Sequence, residues 1–171
     1  AAVAKRYQMD PDILQEVLSH YTVNNGRMEA FQMGSNDVTL NLAKNPVGAN
    51  MTLRVMNEMQ GEKELLFVLN DNIADGLDVS WIWDINFSTF RNVTRVVTSG
   101  TRAYDIAVRI KCSGYDARNI VVRPDLDEAV AELNTTQGKK FVIANYTAVQ
   151  PTRSALQRWI AHHGGAAHET N

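Results

Sequence analysis

Short apolar runs and amphipathic segments alternate along most of this chain, and each pattern predicts an element of secondary structure. The first helix is expected to begin at Asp10-Pro11, because aspartate is a common N-cap residue and proline suits the first helical position. Two short strands follow, over 28–32 and 38–42, and the turn-forming residues 34–37 between them favour a hairpin. The first helix has an apolar face, but this early part of the chain offers it no obvious partner.

From residue 38 onward the pattern predicts a regular alternation of strands and helices. Strands are expected over 38–42, 65–69, 93–98, 120–122 and 141–144, with a helix after each of them except the second. Strands that alternate with helices form a mainly parallel sheet, and right-handed crossovers place helices on both of its faces. We therefore predict an α/β fold, a Rossmann-like and doubly wound sheet of about five to six strands.

The same patterns predict how individual helices begin and which side chains they bury. Three helices are expected to start at side chains that can cap them, namely Thr101, Asp125 and Thr152. The helix after strand 38–42 is expected to turn four apolar side chains inward, which are Met51, Val55, Met56 and Met59.

The composition is that of a soluble globular domain. The chain has 171 residues, of which 44% are hydrophobic and 21% charged, and its net charge of −2 gives no indication of nucleic-acid binding. The single cysteine, Cys112, excludes an internal disulfide and any zinc site with several cysteines. No apolar run approaches the ~20 residues that a transmembrane helix needs. Lys5, Arg6 and Asp10 interrupt the N-terminus before the apolar core of a signal sequence could form.

The stretch from Leu65 to Phe87 is the most distinctive part of the sequence. An apolar strand leads there into a polar segment with four aspartates and two of the three tryptophans. Open α/β sheets bind ligands beyond the carboxyl ends of their strands, which makes this segment a candidate site. A structural alternative stays open, because Asp-Gly is a common turn pair and tryptophans often anchor cores. The residues concerned are Asp71, Asp75, Asp78, Asp84, Trp81 and Trp83.

Familiar catalytic motifs are missing from the chain. It has neither a G-x-x-x-x-G-K-[ST] phosphate loop nor a G-x-G-x-x-G fingerprint, and its four histidines have no metal-binding spacing. Lys44 and Arg102 follow predicted strands and could bind phosphate or carboxylate oxygens, although the alternative is a solvated surface lysine and an ordinary first-turn helix residue. An aspartate can orient a histidine beside a nucleophile, but the chain has no credible pair of that kind. A catalytic aspartate here would therefore need partners from another chain.

Five segments carry a longer and more specific pattern, which are GRMEAF (26–31), LNLAKNPVGAN (40–50), LNDNIADGLDVSWIWDINF (69–87), TSGTRAYDIAVRIK (98–111) and ANYTAVQ (144–150). Together they resemble the C-terminal part of the MurT family, the Mur-ligase-like subunits of lipid II isoglutaminyl synthase. The resemblance implies the fold of Mur ligase C-terminal domains and favours a piece of a longer protein, since the chain begins without methionine. It assigns 1–37 to the end of a central ligase domain, 38–162 to the C-terminal Rossmann-like domain and 163–171 to a flexible tail.

The resemblance also implies a reaction and a partner. Members of this family act with a GatD-type glutaminase, and the complex uses glutamine, ATP and Mg²⁺ to amidate the α-carboxyl of D-glutamate in lipid II. The resemblance implies that this amidation takes place in the cytoplasm, at the inner face of the membrane. The ligase subunit is expected to supply an aspartate to the Cys-His site of the glutaminase. Asp75 is the first candidate for that role, and Asp78 and Asp84 are the alternatives.

Other positions receive expected roles as well. Lys44, Asn45 and Pro46 match a loop that closes over nucleotide and substrate in Mur ligases, and Arg102 is expected in the same cleft. Trp81 and Trp83 are expected at the interface with the partner.

The chain lacks the nucleotide-binding P-loop, the substrate-binding N-terminal domain and the cysteine zinc ribbon of this family. The isolated chain is therefore expected to be inactive, and no cofactor is assigned to it alone. The alternative hypothesis is a Rossmann-like module that binds a protein or a nucleotide without catalysis.

Overall fold

Six strands form one sheet in the computed structural model, which describes residues 6–19 and 26–163. The strands are β1 (Glu29–Met33), β2 (Asn36–Leu42), β3 (Lys63–Val68), β4 (Val93–Ser99), β5 (Ile120–Val122) and β6 (Lys139–Ala144). The α-helices are α1 (Pro11–Ser19), α2 (Pro46–Glu58), α3 (Ala103–Cys112), α4 (Leu126–Leu133) and α5 (Tyr146–His163). Short 3₁₀ helices lie in the connections, at Ser80–Asp84, Phe87–Thr89 and Ala117–Asn119.

The strand order across the sheet is β1-β2-β6-β3-β4-β5. Within the described residues β1 runs antiparallel to β2, and the other four neighbouring pairs are parallel. Strand β3 lies between β6 and β4 and is buried along its whole length. The predicted α/β class with a mainly parallel sheet is therefore confirmed.

Helices cover both faces of this sheet. On one face α4 and α5 pack against inward side chains that include Leu66 and Val68. On the other face α2, α3 and the 3₁₀ segments after β3 pack against side chains that include Leu65 and Phe67. Successive residues of a strand point to opposite faces, so β3 contributes to both layers of the core. The sheet is doubly wound, as predicted.

The hairpin of β1 and β2 belongs to the same sheet as the parallel strands. Gly34 and Ser35 alone separate its two strands, and Gly34 has a φ of +61°, which glycine adopts without steric cost. Strand β2 pairs with β6 from Val38 to Leu42. The domain boundary predicted at residue 38 falls inside this hairpin.

The inner face of α2 differs from the prediction. Of the four side chains expected to point inward, Met56 is buried, Val55 and Met59 are partly buried, and Met51 is 55% exposed. The sheet instead meets Leu53, which is 1% exposed. Several sets of residues in α2 share helical spacing, so the spacing alone did not select the set that faces the sheet.

Two of the three predicted helix caps are wrong. Thr101 precedes α3, but its hydroxyl donates to the carboxylate of Asp71 in another loop. Thr152 lies inside α5, which already begins at Tyr146. Asp125 does cap α4 as predicted, because its side chain accepts a hydrogen bond from a first-turn N–H group of that helix.

The two ends of the described chain are helical. Helix α1 keeps an open apolar face, on which Ile13 and Val17 are more than half exposed. His163 ends α5, and the rest of the tail that was predicted to be flexible lies outside the described residues. Among the helices in 6–19 and 26–163, none combines the length and the hydrophobicity that crossing a bilayer requires.

Replacing Leu53 by alanine is expected to lower the free energy of unfolding by about 2–4 kcal/mol, because it leaves a cavity between α2 and the sheet. The matched change Met51→Ala removes an exposed side chain from the same helix and should alter stability by no more than about 0.5 kcal/mol. Urea unfolding of both variants checks this. Equal losses from the two changes would contradict the observed orientation of α2.

Candidate functional site

Strands β3 and β6 lie side by side, but the chain leaves them towards opposite faces of the sheet. After β3 the segment 79–90 packs on the face that α2 and α3 cover, and after β6 helix α5 packs on the other face. The carboxyl ends of two such strands border a crevice, where open α/β sheets bind their ligands. In this protein polar side chains fill the crevice, and they are Asn70, Asp75, Asn145 and Thr147.

The side chain of Asn145 ties the ends of β3 and β6 together. Its Oδ1 accepts the N–H of Asn70 at 3.0 Å, and its Nδ2 donates to the carbonyl of Asn70 at 2.7 Å. Its own backbone N–H donates to the carbonyl of Val68. Asn145 is 2% exposed, and leaving such a buried amide unpaired costs about 1–3 kcal/mol. The pairing therefore fixes both strand ends relative to each other.

Asp75 binds the N-terminus of α5. Its Oδ1 accepts the backbone N–H of Thr147 at 2.8 Å, and its Oδ2 accepts a hydrogen bond from the hydroxyl of the same threonine. The first N–H groups of a helix have no partner within the helix, and the positive end of the helix favours a carboxylate. Asp75 thus caps α5 from a distant loop, and its carboxylate has a defined position at the crevice.

A tight turn presents Asp75 at the surface. The N–H of Asp75 donates to the carbonyl of Asn72 at 2.8 Å, and Gly76 follows with a φ of +84°. On either side of the aspartate, Ile73 is 92% exposed and Leu77 is 73% exposed. The fixed carboxylate of Asp75 therefore lies between two large apolar side chains that are open to solvent.

Asp71 belongs to a second cluster, at the ends of β3 and β4. The Thr101 hydroxyl donates to its Oδ1 at 2.7 Å, and the Arg102 guanidinium donates to its Oδ2 at 3.2 Å. The Thr101 hydrogen bond, followed by the contacts with Arg102, holds the pKa of Asp71 below its usual 3.8. Arg102 also binds Asp105 at 2.8 and 3.0 Å, and these two carboxylates, Asp105 first, raise the pKa of Arg102. Arg102 is therefore an ion-paired side chain that joins a loop to α3.

Close packing at Gly100 connects the two clusters. Gly100 has a φ of +91°, and a Cβ at this position would lie 2.5 Å from the carbonyl oxygen of Leu69 and 2.6 Å from Oδ1 of Asn70. The next residue, Thr101, donates its N–H to the same Oδ1 at 3.1 Å. A larger residue than glycine would separate the ends of β3 and β4 and disturb the amide of Asn70.

The other two candidate aspartates, Asp78 and Asp84, lie at the two ends of the 3₁₀ helix Ser80–Asp84. Oδ1 of Asp78 accepts the N–H of Ser80 at 2.8 Å, which starts the 3₁₀ helix and lowers the pKa of Asp78. Asp84 ends that helix with an exposed side chain, and its carbonyl accepts a hydrogen bond from Asn50. In the described part of the chain neither carboxylate is hydrogen-bonded to the crevice residues.

The loop after β2 forms the beginning of α2. The side chain of Asn45 caps the helix by accepting the N–H of Gly48 at 2.8 Å, and Pro46 is the first helical residue. Lys44 is exposed. Because β6 and β3 lie between β2 and β4, the strand ends that carry Lys44 and Arg102 are about 14 Å apart. The structure does not bring these two cations together.

The two tryptophans differ in their surroundings. Trp81 is partly buried against the core. Trp83 is 54% exposed, and the guanidinium of Arg109 lies 5.4 Å from its ring centroid. Trp83 also borders a shallow surface cavity of about 190 Å³ together with Tyr104 and Val108. Of the two, Trp83 is the one that a partner could contact.

Sequence reasoning missed Asn70, Asn145 and Thr147. The prediction that Thr152 caps the last helix left residues 145–151 outside that helix. One signal was available, since Asn70 and Asn145 each come shortly after a predicted strand and polar residues there can line a crevice. Their contact depends on β6 lying next to β3, which the order of elements along the chain does not reveal.

Solved structures with this fold include ligases of the Mur type. UDP-N-acetylmuramate-alanine ligase MurC from Thermotoga maritima matches with a TM-score of 0.69 and 13% identity, over 95% of this chain and 35% of that protein. The MurF ligase from Thermotoga maritima, solved in complex with ADP, matches with a TM-score of 0.66 and 12% identity, over 94% of this chain and 36% of that protein. At such identities the likeness concerns the fold alone, and this chain has the fold of a part of these Mur-type ligases.

The sequence identifies the family more closely. Residues 42–149 match the family described as MurT ligase C-terminal, and this chain belongs to that family. The lipid II isoglutaminyl synthase (glutamine-hydrolyzing) subunit MurT of Staphylococcus aureus (strain COL) is 34% identical, and that of Streptococcus pneumoniae is 31% identical, each over 158 residues. These matches cover 91% of this chain but only 36% and 35% of the two relatives. The chain therefore spans about a third of their length, and the predicted family resemblance is confirmed.

The lowered pKa of Asp71 predicts a pH-dependent contribution to stability. The ionised carboxylate stabilises the fold above its ordinary pKa of 3.8, and this contribution is lost as the pH falls through the lower pKa of the folded state. Wild type should therefore be more stable than Asp71→Asn at neutral pH, and the difference should shrink as the pH falls below 3.8. Urea unfolding across this range measures it. The loss in the double variant Asp71→Asn/Thr101→Val should be smaller than the sum of the two single losses, because the hydroxyl and the carboxylate are hydrogen-bonded to each other. Full additivity would contradict this coupling.

A second prediction concerns the close approach at Gly100. Gly114 has a similar φ of +93°, but nothing lies within 4 Å of the position that its Cβ would take. Gly114→Ala should therefore cost about 1 kcal/mol, the strain of a left-handed alanine. Gly100→Ala adds a clash with the backbone and should cost at least about twice as much. Thermal unfolding of the two variants compares them, and similar losses would mean that the contact at Gly100 is easily relieved.

Proposed function

We propose that this chain is the C-terminal domain of the ligase subunit of a lipid II isoglutaminyl synthase. The complete enzyme would use glutamine and ATP to amidate the α-carboxyl of D-glutamate in lipid II, a step of peptidoglycan synthesis. Membership of the MurT family and the names of the two bacterial relatives support this. Because the chain spans only 36% and 35% of those relatives, we expect it to be inactive in isolation. The reaction would take place in the cytoplasm, at the inner face of the membrane.

The role that we assign to this domain is to complete the active site of a GatD-type glutaminase. In such a site a cysteine thiolate attacks the carboxamide carbon of glutamine, and a histidine carries the thiol proton to the departing ammonia. A carboxylate that accepts the other N–H of the histidine holds the ring in place and stabilises its charged form. We propose that Asp75 supplies this carboxylate across the subunit interface.

The observation that carries this proposal is the fixed position of the Asp75 carboxylate between exposed apolar side chains. Both of its oxygens are held at the start of α5, while Ile73 and Leu77 beside it are open to solvent. A docked subunit would cover these two side chains and enclose the carboxylate. Asp78 and Asp84 remain the alternatives, but Asp78 precedes the 3₁₀ helix and Asp84 ends it, and neither has this support. Trp83, with its exposed ring, extends the proposed interface, whereas Trp81 contributes by supporting the segment from within.

Neither ATP nor Mg²⁺ can be assigned to the described residues on their own. Residues 6–19 and 26–163 contain no group of three or more His, Cys, Asp or Glu side chains that could hold a metal ion. The chain also has no phosphate loop. We propose that the remainder of the enzyme binds ATP and Mg²⁺, and that Lys44 and Arg102 border the nucleotide and substrate cleft from this side. Asn45 and Pro46 would then shape the loop that carries Lys44.

The proposal predicts that this subunit activates glutamine hydrolysis by its partner. With ATP omitted, glutaminase activity should be measured for the partner alone and for the complex with the full-length ligase subunit. Asp75→Asn keeps the shape of the side chain but removes its charge, and it should lower the hydrolysis rate of the complex about a thousandfold. Asp78→Asn, in the same loop, is the matched control and should have little effect.

Co-elution of the Asp75→Asn ligase subunit with the glutaminase distinguishes a catalytic role of Asp75 from the alternative hypothesis of a binding module. If Asp75→Asn still binds the partner but no longer activates it, the catalytic role holds. If the variant no longer binds, the loop serves as an interface and the domain is a binding module. If the variant binds and remains fully active, Asp75 has no part in the glutaminase site.

A further inference from the structure

We infer that Thr147 is a positioning residue for Asp75. Its hydroxyl, oriented by Asn72 and Asn70, and its backbone N–H together hold the Asp75 carboxylate in one orientation. The inference rests on the proposed role of Asp75 in glutamine hydrolysis. It adds that the orientation of the Asp75 carboxylate is fixed by the first turn of α5 and not by the turn that carries Asp75.

The directions of the hydrogen bonds follow from groups whose polarity is known. The backbone N–H of Thr101 can only donate, and it points at Oδ1 of Asn70 at 3.1 Å. The Nδ2 group of Asn70 is therefore the end that faces the Thr147 hydroxyl, at 3.4 Å. Nδ2 of Asn72 lies nearer to the same hydroxyl oxygen, at 2.8 Å. Since two N–H donors approach this oxygen, its single proton is directed to Asp75.

Thr147 therefore contacts the carboxylate at two points. Its N–H holds Oδ1 and its hydroxyl holds Oδ2, which fixes the plane of the carboxylate as well as its position. Each carboxylate oxygen can accept a second hydrogen bond, so the carboxylate can still accept an N–H from a histidine while it is held. Thr147 touches Asp75 and not the reacting atoms, and this makes it a positioning residue.

The loop alone would not hold Asp75 so firmly. Asp75 lies in a surface turn whose backbone hydrogen bonds join Asp75 to Asn72 and Gly76 to Ile73. Ile73 and Leu77 are largely exposed and contribute little packing. Without the Thr147 hydroxyl, the side chain of Asp75 would sample other rotamers around the remaining N–H contact. An enzyme loses activity when the contacts that support a catalytic group no longer hold it in the productive geometry.

The test uses the full-length ligase subunit in complex with its glutaminase. Thr147→Val removes the hydroxyl but keeps the size and the backbone N–H, and it should lower kcat for glutamine hydrolysis by about 10-fold to 100-fold with KM unchanged. Thr147→Ser keeps the hydroxyl and should restore most of the activity. Thr152→Val is the matched control, because the Thr152 hydroxyl is buried in the same helix and donates to the carbonyl of Ala148. The control should leave kcat unchanged.

Several outcomes would overturn the inference. Full activity of Thr147→Val would do so, and so would a serine variant that is as impaired as the valine variant, since the hydroxyl would then not be responsible. Asp75→Asn in the same assay separates the two proposals. If Asp75→Asn is inactive while Thr147→Val is fully active, the positioning role fails and the role of Asp75 stands. If Asp75→Asn itself is fully active, the proposed function fails.

A second variant covers the case in which Thr147→Val does not assemble with the partner. Asn72→Asp replaces the amide donor near the threonine by an exposed carboxylate that competes for the hydroxyl proton. It should lower kcat without a change in KM while the complex still assembles. Wild-type kcat for this variant would overturn the proposed orientation of the hydroxyl.

Discussion

The rest of the site depends on the contact between Asn145 and the backbone of Asn70. Strands β3 and β6 end side by side, and the chain leaves them towards opposite faces of the sheet. Without this bridge, the backbone N–H and carbonyl of Asn70 at the end of β3 would be unpaired inside a crevice. The amide of Asn145 supplies a donor and an acceptor at the right spacing to pair with both backbone groups of Asn70. Asn70, held by this bridge, contacts the hydroxyl of Thr147, and Thr147 in turn holds the carboxylate of Asp75.

The aspartates of the segment after β3 show how surroundings assign different tasks to one residue type. Asp71 is tied to a hydroxyl and a guanidinium, and it joins the ends of two strands. Asp78 begins a 3₁₀ helix by accepting a neighbouring N–H. Asp75 satisfies the start of α5 and lies between open apolar side chains. This fixed position beside exposed apolar side chains is the support for our proposal that Asp75 serves a second protein.

The polar network is largely complete before any partner binds. Asn70 uses its backbone and its side chain to contact three segments, namely β6, the loop after β4 and the start of α5. A site held in this way would lose little conformational freedom if the proposed glutaminase subunit docked on it. The apolar side chains around it remain exposed, and their burial would supply favourable free energy on docking.

The local sequence by itself determined the order of the elements and the mainly parallel sheet. Such features can be read from the sequence because they depend on residues close together in the chain. Apolar periodicity, the Asp125 cap and the Asp75-Gly76 turn are each formed within a few residues. Tertiary structure decided which face of α2 meets the sheet, since several sets of its residues have the same helical spacing. It also decided where α5 begins. Local signals pointed to Thr152, but the helix starts at Tyr146, where its first turn is capped by a carboxylate that lies 72 residues earlier than Thr147 in the chain. A cap supplied from that distance leaves no signal near the helix, because it exists only once β6 has joined the sheet beside β3.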